Sequence, residues 1–409
     1  MIRIAVIADD LSGAVESAAS FLLRTTRIIV TLTARSGSPP ELAVDADVQV
    51  LDTDSRELTA AASADRAASA AAAVIDVPVV VKKIDSLLRG HIAAELQALR
   101  VTRPHLIVAP ALPATGRTVR DGRVWVGDQL LHESDGWRAE AGERPLTVAH
   151  ALYPIPTVVV SLTTVRGPGL AERLHEILAA GTVPVCDALA DDDLDRIVAA
   201  GDGLDRPILV GSAGITAAVA RRLPPSDGAV PTSQIRRSGS LLVVVGSAAP
   251  MIGHQLAALT ARGAQAVVLH PAELFVAADD EAALVALTAR VDGAAAPLVV
   301  VAVDATADVD PARARSISRA LSVAVSGTAA RAAGLVLTGG ETARAVLDRI
   351  GVTALRPLGE VHHGAVVSVD DAGRLIVTRP GSFGGPTSLL QMVTAAQAAL
   401  EATAPEHIS

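Results

Sequence analysis

The sequence predicts an α/β protein of two domains, each a largely parallel sheet flanked by helices, and three observations carry that expectation. Short β-branched runs alternate with longer Ala-rich stretches, the runs are apolar without clean alternation, and 50% of the 409 residues are hydrophobic. Continuous apolar strands separated by helices mark parallel sheets covered on both faces. A chain this apolar folds, and its length allows about two domains, each burying its own core.

In the first half, strands are expected at residues 2–8, 27–32, 48–51, 79–82, 106–109, 157–160 and 207–210, with helices at 14–23, 57–74 and 88–99. No internal repeat is evident, and residues 61–73 are simply an Ala-rich helix. Residues 223–240, opening with Leu223-Pro224-Pro225-Ser226-Asp227-Gly228, are turn-rich and poor in apolar side chains, as a linker should be. The boundary is therefore expected near residue 232, giving domains of residues 1–231 and 232–409. Beyond it the alternation resumes with strands at 241–245, 266–269, 298–303, 335–337 and 374–378 and a last helix at 387–401. Asp191-Asp192-Asp193 reads as a solvated helix start, its carboxylates complementing the helix dipole.

Composition removes several classes of partner. A net charge of −9 and 1% aromatic residues argue against a nucleic-acid surface, which needs clustered cations and stacking platforms. No membrane span is expected, because the most apolar stretch, near residues 67–81, is broken by Asp76 and Pro78. Met1-Ile2-Arg3 and the five apolar residues before Asp9-Asp10 do not form a secretory signal, and Cys186 is the only cysteine, so a cytoplasmic protein is expected.

Ligands of parallel α/β sheets collect at the carboxyl ends of strands, so the residues following each run carry the information. The first run leads into Ala8-Asp9-Asp10-Leu11-Ser12-Gly13-Ala14, where the two carboxylates can bind hydroxyls, take a proton or hold a metal, or can simply cap a helix. The third leads into Asp52-Thr53-Asp54-Ser55-Arg56, which on its own reads as a turn and cap. The fourth ends in Lys82-Lys83-Ile84-Asp85-Ser86-Leu87-Leu88-Arg89-Gly90. Of 35 basic residues only these two are lysine, which hints that an ammonium is wanted there. With a helix beginning near Ser86, Lys83, Asp85 and Arg89 can all face the strand-end crevice. A cation, a carboxylate and a guanidinium fork suit a small hydroxylated carboxylate, and an Asp85–Arg89 structural ion pair is the competing reading. The next loop, Pro110 to Thr118, is stiffened by two prolines and carries Gly116 and Arg117.

The second half offers glycines and hydroxyls instead. Gly246-Ser247-Ala248-Ala249-Pro250, Thr338-Gly339-Gly340-Glu341-Thr342 and Arg379-Pro380-Gly381-Ser382-Phe383-Gly384-Gly385 each follow a strand or precede a helix. Free backbone N–H groups there are candidate phosphate cradles, and three in one domain suggest a polyphosphate site. No P-loop, G-x-G-x-x-G fingerprint, G-x-S-x-G elbow or H-E-x-x-H helix occurs. His362-His363 beside Gly364 reads as a surface turn.

Taken in order, these segments, with Gly211-Ser212-Ala213-Gly214, resemble the four-carbon acid sugar kinase family over essentially the whole chain. The resemblance implies an N-terminal sugar-binding domain, a C-terminal nucleotide-binding domain and an active site in the interdomain cleft. It implies transfer of the γ-phosphoryl group of ATP, with Mg2+, to a terminal hydroxyl of a threonate, erythronate or 3-oxo-tetronate. Carried over by position, Asp9, Asp10, Arg56, Lys83, Asp85, Arg89 and Arg117 fall on the sugar side, with Asp85, Lys83 and Asp10 as the catalytic candidates. Ser247, Gly339, Gly340, Glu341, Thr342, Gly381 and Gly384 fall on the ATP side, and no protein metal ligand is implied. The chain departs from the family pattern at Ser12, Leu87, Arg379, Pro380 and Ser382. A homodimer is the expected assembly. The rival readings are a lyase or epimerase using Lys83 on the same acids, and a sugar-acid sensor without turnover.

Overall fold

The computed structural model describes residues 2–33, 39–134, 137, 143–226, 234–235, 239–246, 252–304, 313–381 and 384–402. They fall into two units, Met1–Gly228 and Ala229–Ser409. The first contains β1 (Ile4–Ala8), α1 (Leu11–Ala19), β2 (Ile28–Leu32), β3 (Val48–Asp52), α2 (Ala60–Ala73), β4 (Val79–Lys83), α3 (Ile92–Arg100) and β5 (Leu106–Ala109). Next come β6 (Arg117–Arg120), β7 (Arg123–Val126), β8 (Gln129–Leu130), α4 (Val148–Leu152), β9 (Thr157–Val160), α5 (Leu162–Val165) and α6 (Leu170–Ala179). The unit closes with β10 (Val183–Cys186), α7 (Asp191–Ala200), β11 (Ile208–Gly211) and α8 (Ala213–Arg221).

Its strands lie in the order β2-β3-β1-β4-β11-β5-β10-β9, every neighbouring pair parallel. Strands β1 and β5 are buried along their whole length, as their unbroken apolar sequences require, and β3 is buried with them, Gln49 and Asp52 included. Register matters most at the carboxyl ends. Ala8 lies opposite both Asp52 and Lys83, and Gly211 lies opposite Lys83 and Ala109, so five adjacent strands end level with one another. The loops leaving that edge carry most of the polar residues singled out above. Helix α2 buries Ser63, Ala67, Ala70 and Ala71, a helical face of small side chains that packs against α3.

The second unit contains β12 (Leu241–Val245), α9 (Ile252–Thr260), β13 (Gln265–Leu269), α10 (Pro271–Ala277), α11 (Glu281–Asp292), β14 (Leu298–Val303) and α12 (Ala314–Arg331). It ends with β15 (Gly334–Thr338), α13 (Gly340–Arg349), β16 (Ala354–His362), β17 (Ala365–Asp370), β18 (Leu375–Arg379) and α14 (Ser388–Glu401). The order is β13-β14-β12-β15-β18-β17-β16, parallel as far as β18 and antiparallel beyond it. Val243, Val300, Val336, Val377, Leu389 and Met392 lie in its core, each burial contributing about 1.5–3 kcal/mol before entropy is subtracted. Val245 lies opposite Thr338 and Thr338 opposite Arg379, so Gly246 and Gly339 leave the sheet side by side.

Several expectations need correction. The largely parallel sheet holds for the first unit, but the second is mixed. The antiparallel strands β16 and β17 are interrupted in register between Pro357 and Gly359, the residues that hide a strand pattern there. Strand β10 carries Pro184, and the stiff loop expected at residues 110–118 runs into β6, which with β7 and β8 forms a small antiparallel sheet that was not anticipated. Helix α1 ends at Ala19, short of residue 23, and no helix begins at Ser86. Leu88 (φ 59°) and Gly90 (φ 88°) are left-handed, so α3 starts only at Ile92. Nor is the Asp191–Asp193 run wholly solvated. Asp193 is buried, accepts from the Leu189 and Ala190 N–H groups, and takes a bidentate bond from Arg166. Cys186 is fully buried, and burial together with Asp187 pushes its thiol up, making it unreactive.

Candidate active site

The level strand ends of the first unit gather the charged residues into one cluster. Asp10 is the N-cap of α1, its Oδ1 accepting from Gly13 N at 2.9 Å. A β-carbon on Gly13 would meet Asp10 Oδ1 at 2.8 Å and Lys83 Nζ at 3.0 Å, so glycine is what lets both approach the helix start. Arg56, from the loop after β3, donates Nε and Nη2 to Asp9 at 2.7 and 3.0 Å, and Nη2 also reaches Asp10 at 2.8 Å. Burial alone would raise the Asp9 carboxyl, but Arg56, Lys82 and Lys83 outweigh it and hold it below the usual range. Burial likewise works against the Arg56 charge, and Asp10, Asp9 and Asp85 together raise its pKa well above normal.

Past β4, the chain turns on Asp85. Its Oδ2 accepts from the backbone N–H groups of Leu87 and Arg89, and its carboxylate takes a bidentate pair from Arg89, Nε at 2.6 Å and Nη2 at 3.0 Å. Burial opposes ionisation here too, yet Arg89, Arg56 and Lys83 hold the carboxyl far below its ordinary range. The Arg89 fork, expected to grip a ligand carboxylate, is therefore occupied by Asp85. Such carboxylates contribute stability that is complete above about pH 4 and is lost as the pH falls through their lowered pKa values. The acid limb of a melting-temperature profile should accordingly be shallower in Asp85→Asn than in the wild type. Arg117, at the start of β6, donates Nη1 to Ser86 Oγ at 2.5 Å, which ties the fifth strand-end loop to the cluster.

The adjacent lysines point to opposite faces of the sheet, as side chains in a strand must. Lys83 Nζ lies 3.1 Å from Ile84 O and 3.8 Å from Glu16 Oε2, in the cluster. Lys82 is fully buried on the other face, 2.7 Å from Glu95 Oε2, and Glu95 Oε1 also accepts from Ser55 and Ser63. Only one member of the pair thus belongs to the site. Glu16 was missed by sequence reasoning. Its signal is a lone carboxylate in a helix buried from Leu11 to Ala18.

In the second unit, Gly339 (φ 88°) caps α13 and the N–H groups of Gly340, Glu341 and Thr342 form its first turn. The Thr342 side chain is buried, its Oγ1 3.3 Å from Ser318 Oγ, so its backbone rather than its hydroxyl is what can meet a ligand. A β-carbon on Gly246 would lie 1.9 Å from Thr342 Oγ1, which brings the β12 and β15 strand-end turns together. Gly384 (φ 91°) leads into α14, and Gln255 Nε2 holds Gly385 O at 2.9 Å. Gly381 follows Arg379 by two residues at the end of β18. Ser247, Ser382 and Phe383 lie outside the described residues. Among the described residues no group of three or more His, Cys, Asp or Glu side chains stands ready to hold a metal ion, and no helix is long and apolar enough to cross a membrane.

The two halves of this arrangement match two known modules. Residues 4–219 match the family model described as a sugar-binding N-terminal domain, and residues 242–389 match the one described as a nucleotide-binding C-terminal domain. In class, the chain is a two-module sugar kinase. It belongs to the four-carbon acid sugar kinase family. It is 36% identical to a D-threonate kinase of Cupriavidus necator over 98% of this chain and 99% of that one. To a 3-oxo-tetronate kinase of Methylobacterium radiotolerans it is 30% identical, over 93% and 96% of the two chains. A crystal structure of a Salmonella typhimurium protein superposes with a TM-score of 0.75 at 21% identity, covering 96% of this chain and 98% of the other. At that identity the likeness shows the fold alone.

Proposed function

We propose that the protein phosphorylates a terminal hydroxyl of a four-carbon sugar acid, of the threonate, erythronate or 3-oxo-tetronate type, with ATP and Mg2+. One observation carries this reading: in a chain of this family, the strand ends of the first unit gather Asp9, Asp10, Arg56, Lys83, Asp85, Arg89 and Arg117 into one cluster. Relatives named D-threonate kinase, 36% and 34% identical, make D-threonate the first substrate to try. The division of labour proposed is sugar acid on residues 1–231 and nucleotide on residues 232–409, through the turns at Gly246-Ser247, Gly339 to Thr342 and Gly381 to Gly384. The two bound substrates must then meet in a water-poor cleft for transfer to outrun hydrolysis. Magnesium would arrive on the triphosphate, since hard cations with phosphate ligands need few protein carboxylates.

In the reaction the acceptor hydroxyl oxygen attacks the γ-phosphorus, the bond to the β-phosphate oxygen breaks, ADP leaves, and the hydroxyl proton passes to a carboxylate. Asp10 is proposed as that carboxylate. Its side chain is 17% exposed against 5% for Asp9 and 9% for Asp85, and it is not consumed by a bidentate arginine of its own. Lys83 supplies positive charge to the moving phosphoryl group, and Asp9 and Asp85 hold Arg56 and Arg89 in place. Arg117 is assigned to the substrate carboxylate. Arg117→Met should raise the sugar-acid KM about ten- to a hundredfold, the worth of a charged hydrogen bond, and leave the ATP KM unchanged. An unchanged sugar-acid KM would remove Arg117 from the site.

A coupled ADP-release assay across threonates, erythronates and 3-oxo-tetronates tests the whole proposal. ATP-dependent product separates it from lyase or epimerase chemistry, and binding without turnover would favour a sensor. The proposed homodimer is checked by light scattering.

A further inference from the structure

We infer that Arg379 is the cation of the nucleotide site, held ready for the phosphates by Ser388 and His362. The inference rests on the nucleotide reading of the second unit and adds a residue to it. Arg379 ends β18, where Thr338 is its register partner and Gly339 N donates to its carbonyl at 3.0 Å. It is only 2% exposed, and its pKa is lowered by burial with no carboxylate beside it to oppose the loss. Its Nε has no hydrogen-bond partner, and no ion pair involves it among the described residues. The two buried lysines described above each have an acid within reach: Lys82 has Glu95 and Lys83 has Glu16.

What Arg379 does have is an orienting hydroxyl. Nη1 donates to Ser388 Oγ at 2.6 Å, and Ser388 Oγ lies 2.7 Å from His362 Nε2. His362 Nδ1 lies 3.2 Å from the carbonyl of His363, an obligate acceptor, so Nδ1 carries the imidazole proton and Nε2 accepts from Ser388. Each group in the relay has one role, and the guanidinium is its donor end. The space beside that end is kept open by Gly384, where a β-carbon would lie 2.8 Å from Arg379 Nη1 and 2.3 Å from Ser388 Oγ. Ser388 is the first residue of α14, so the guanidinium stands at the positive end of a 14-residue helix as well. A buried cation at a helix N-terminus, with no counter-charge of its own, is electrostatically incomplete. A polyphosphate completes it, and Arg is the side chain suited to bidentate phosphate recognition.

The test is calorimetric titration of the full-length protein with ATP, ADP and adenosine, alongside melting temperatures. Arg379→Met should weaken ATP and ADP at least about tenfold and leave adenosine and the sugar-acid KM unchanged. Arg379→Lys should restore much of the loss, and Ser388→Ala should produce a smaller one in the same direction. Without nucleotide, Arg379→Met should melt no lower than the wild type, because it removes a buried charge that nothing compensates. Equal losses for ATP and adenosine, or a clear fall in apo melting temperature with unchanged ATP affinity, would make the residue structural and overturn the inference. An Arg379→Met protein that binds ATP as the wild type does would overturn it too, with the nucleotide site intact. A wild type that binds no ATP would instead remove the nucleotide reading itself, and this inference with it.

Discussion

Lys82→Met should cost about 3–5 kcal/mol of stability, the usual penalty for leaving one half of a buried ion pair, and lower the melting temperature by roughly 10 °C. Its neighbour should behave in the opposite way. Lys83→Met should lose clearly less stability than Lys82→Met, its contact with Glu16 being the longer one, and lose turnover by about 100- to 1000-fold, as when an oriented positive group is removed from a transition state. The contrast follows from strand parity. Lys82 meets Glu95 at 2.7 Å with neither side chain more than 2% exposed, whereas Lys83 Nζ is 3.8 Å from its nearest acid. Loss of Lys82 strands a carboxylate that keeps Ser55 and Ser63 as donors but has no cation. The double variant Lys82→Met/Glu95→Leu should recover most of the stability, since replacing both partners by apolar groups is often neutral. Melting curves and ADP-release rates on the three proteins decide the matter. Normal turnover in Lys83→Met would remove it from the chemistry, and an unaltered melting temperature in Lys82→Met would mean the pair contributes nothing.

That split also shows what the sequence can and cannot carry. Apolar runs that end in polar residues mark strand ends, and the polar residues after β1, β3 and β4 were legible for that reason. Period-two alternation says that Lys82 and Lys83 face apart, but not which face meets the site; that depends on Glu95, in a helix that pairs with β4 only in three dimensions. The Asp85 segment was misread because Ser-Leu-Leu-Arg has good helical content, while the left-handed Leu88 is a tertiary requirement that only Gly90 announces. In place of a helix, Asp85 and Arg89 bond each other across a turn, so the two residues expected to serve the ligand separately serve each other first. Glu16 was missed, and Arg379 was read only as the flank of a glycine turn, for a common reason. A charge at the margin of an apolar run looks solvated until its neighbours are known, and neither burial nor a missing counter-ion is written in local sequence.

Asp10→Asn is the sharper test of the chemistry. Asparagine keeps a side-chain oxygen for the Gly13 N–H cap and for Arg56 Nη2, so the start of α1 should hold and the melting temperature should fall by no more than a few degrees. What it loses is the ability to accept a proton. If Asp10 takes the hydroxyl proton, kcat should drop about 100- to 10,000-fold with the sugar-acid KM changed far less. Asp9→Asn should give the inverse pattern. Asp9 holds both Nε and Nη2 of Arg56, and its loss leaves Asp10, on Nη2 alone, as the carboxylate bonded to that guanidinium. The expected result is therefore a destabilised protein whose residual folded fraction still turns over. Measuring kcat, KM and melting temperature for both variants separates a carboxylate that moves a proton from one that holds an arginine. If Asp10→Asn keeps wild-type kcat while Asp9→Asn or Asp85→Asn loses it at full stability, the base has been assigned to the wrong carboxylate and the hydroxyl must approach from the other side of the cluster.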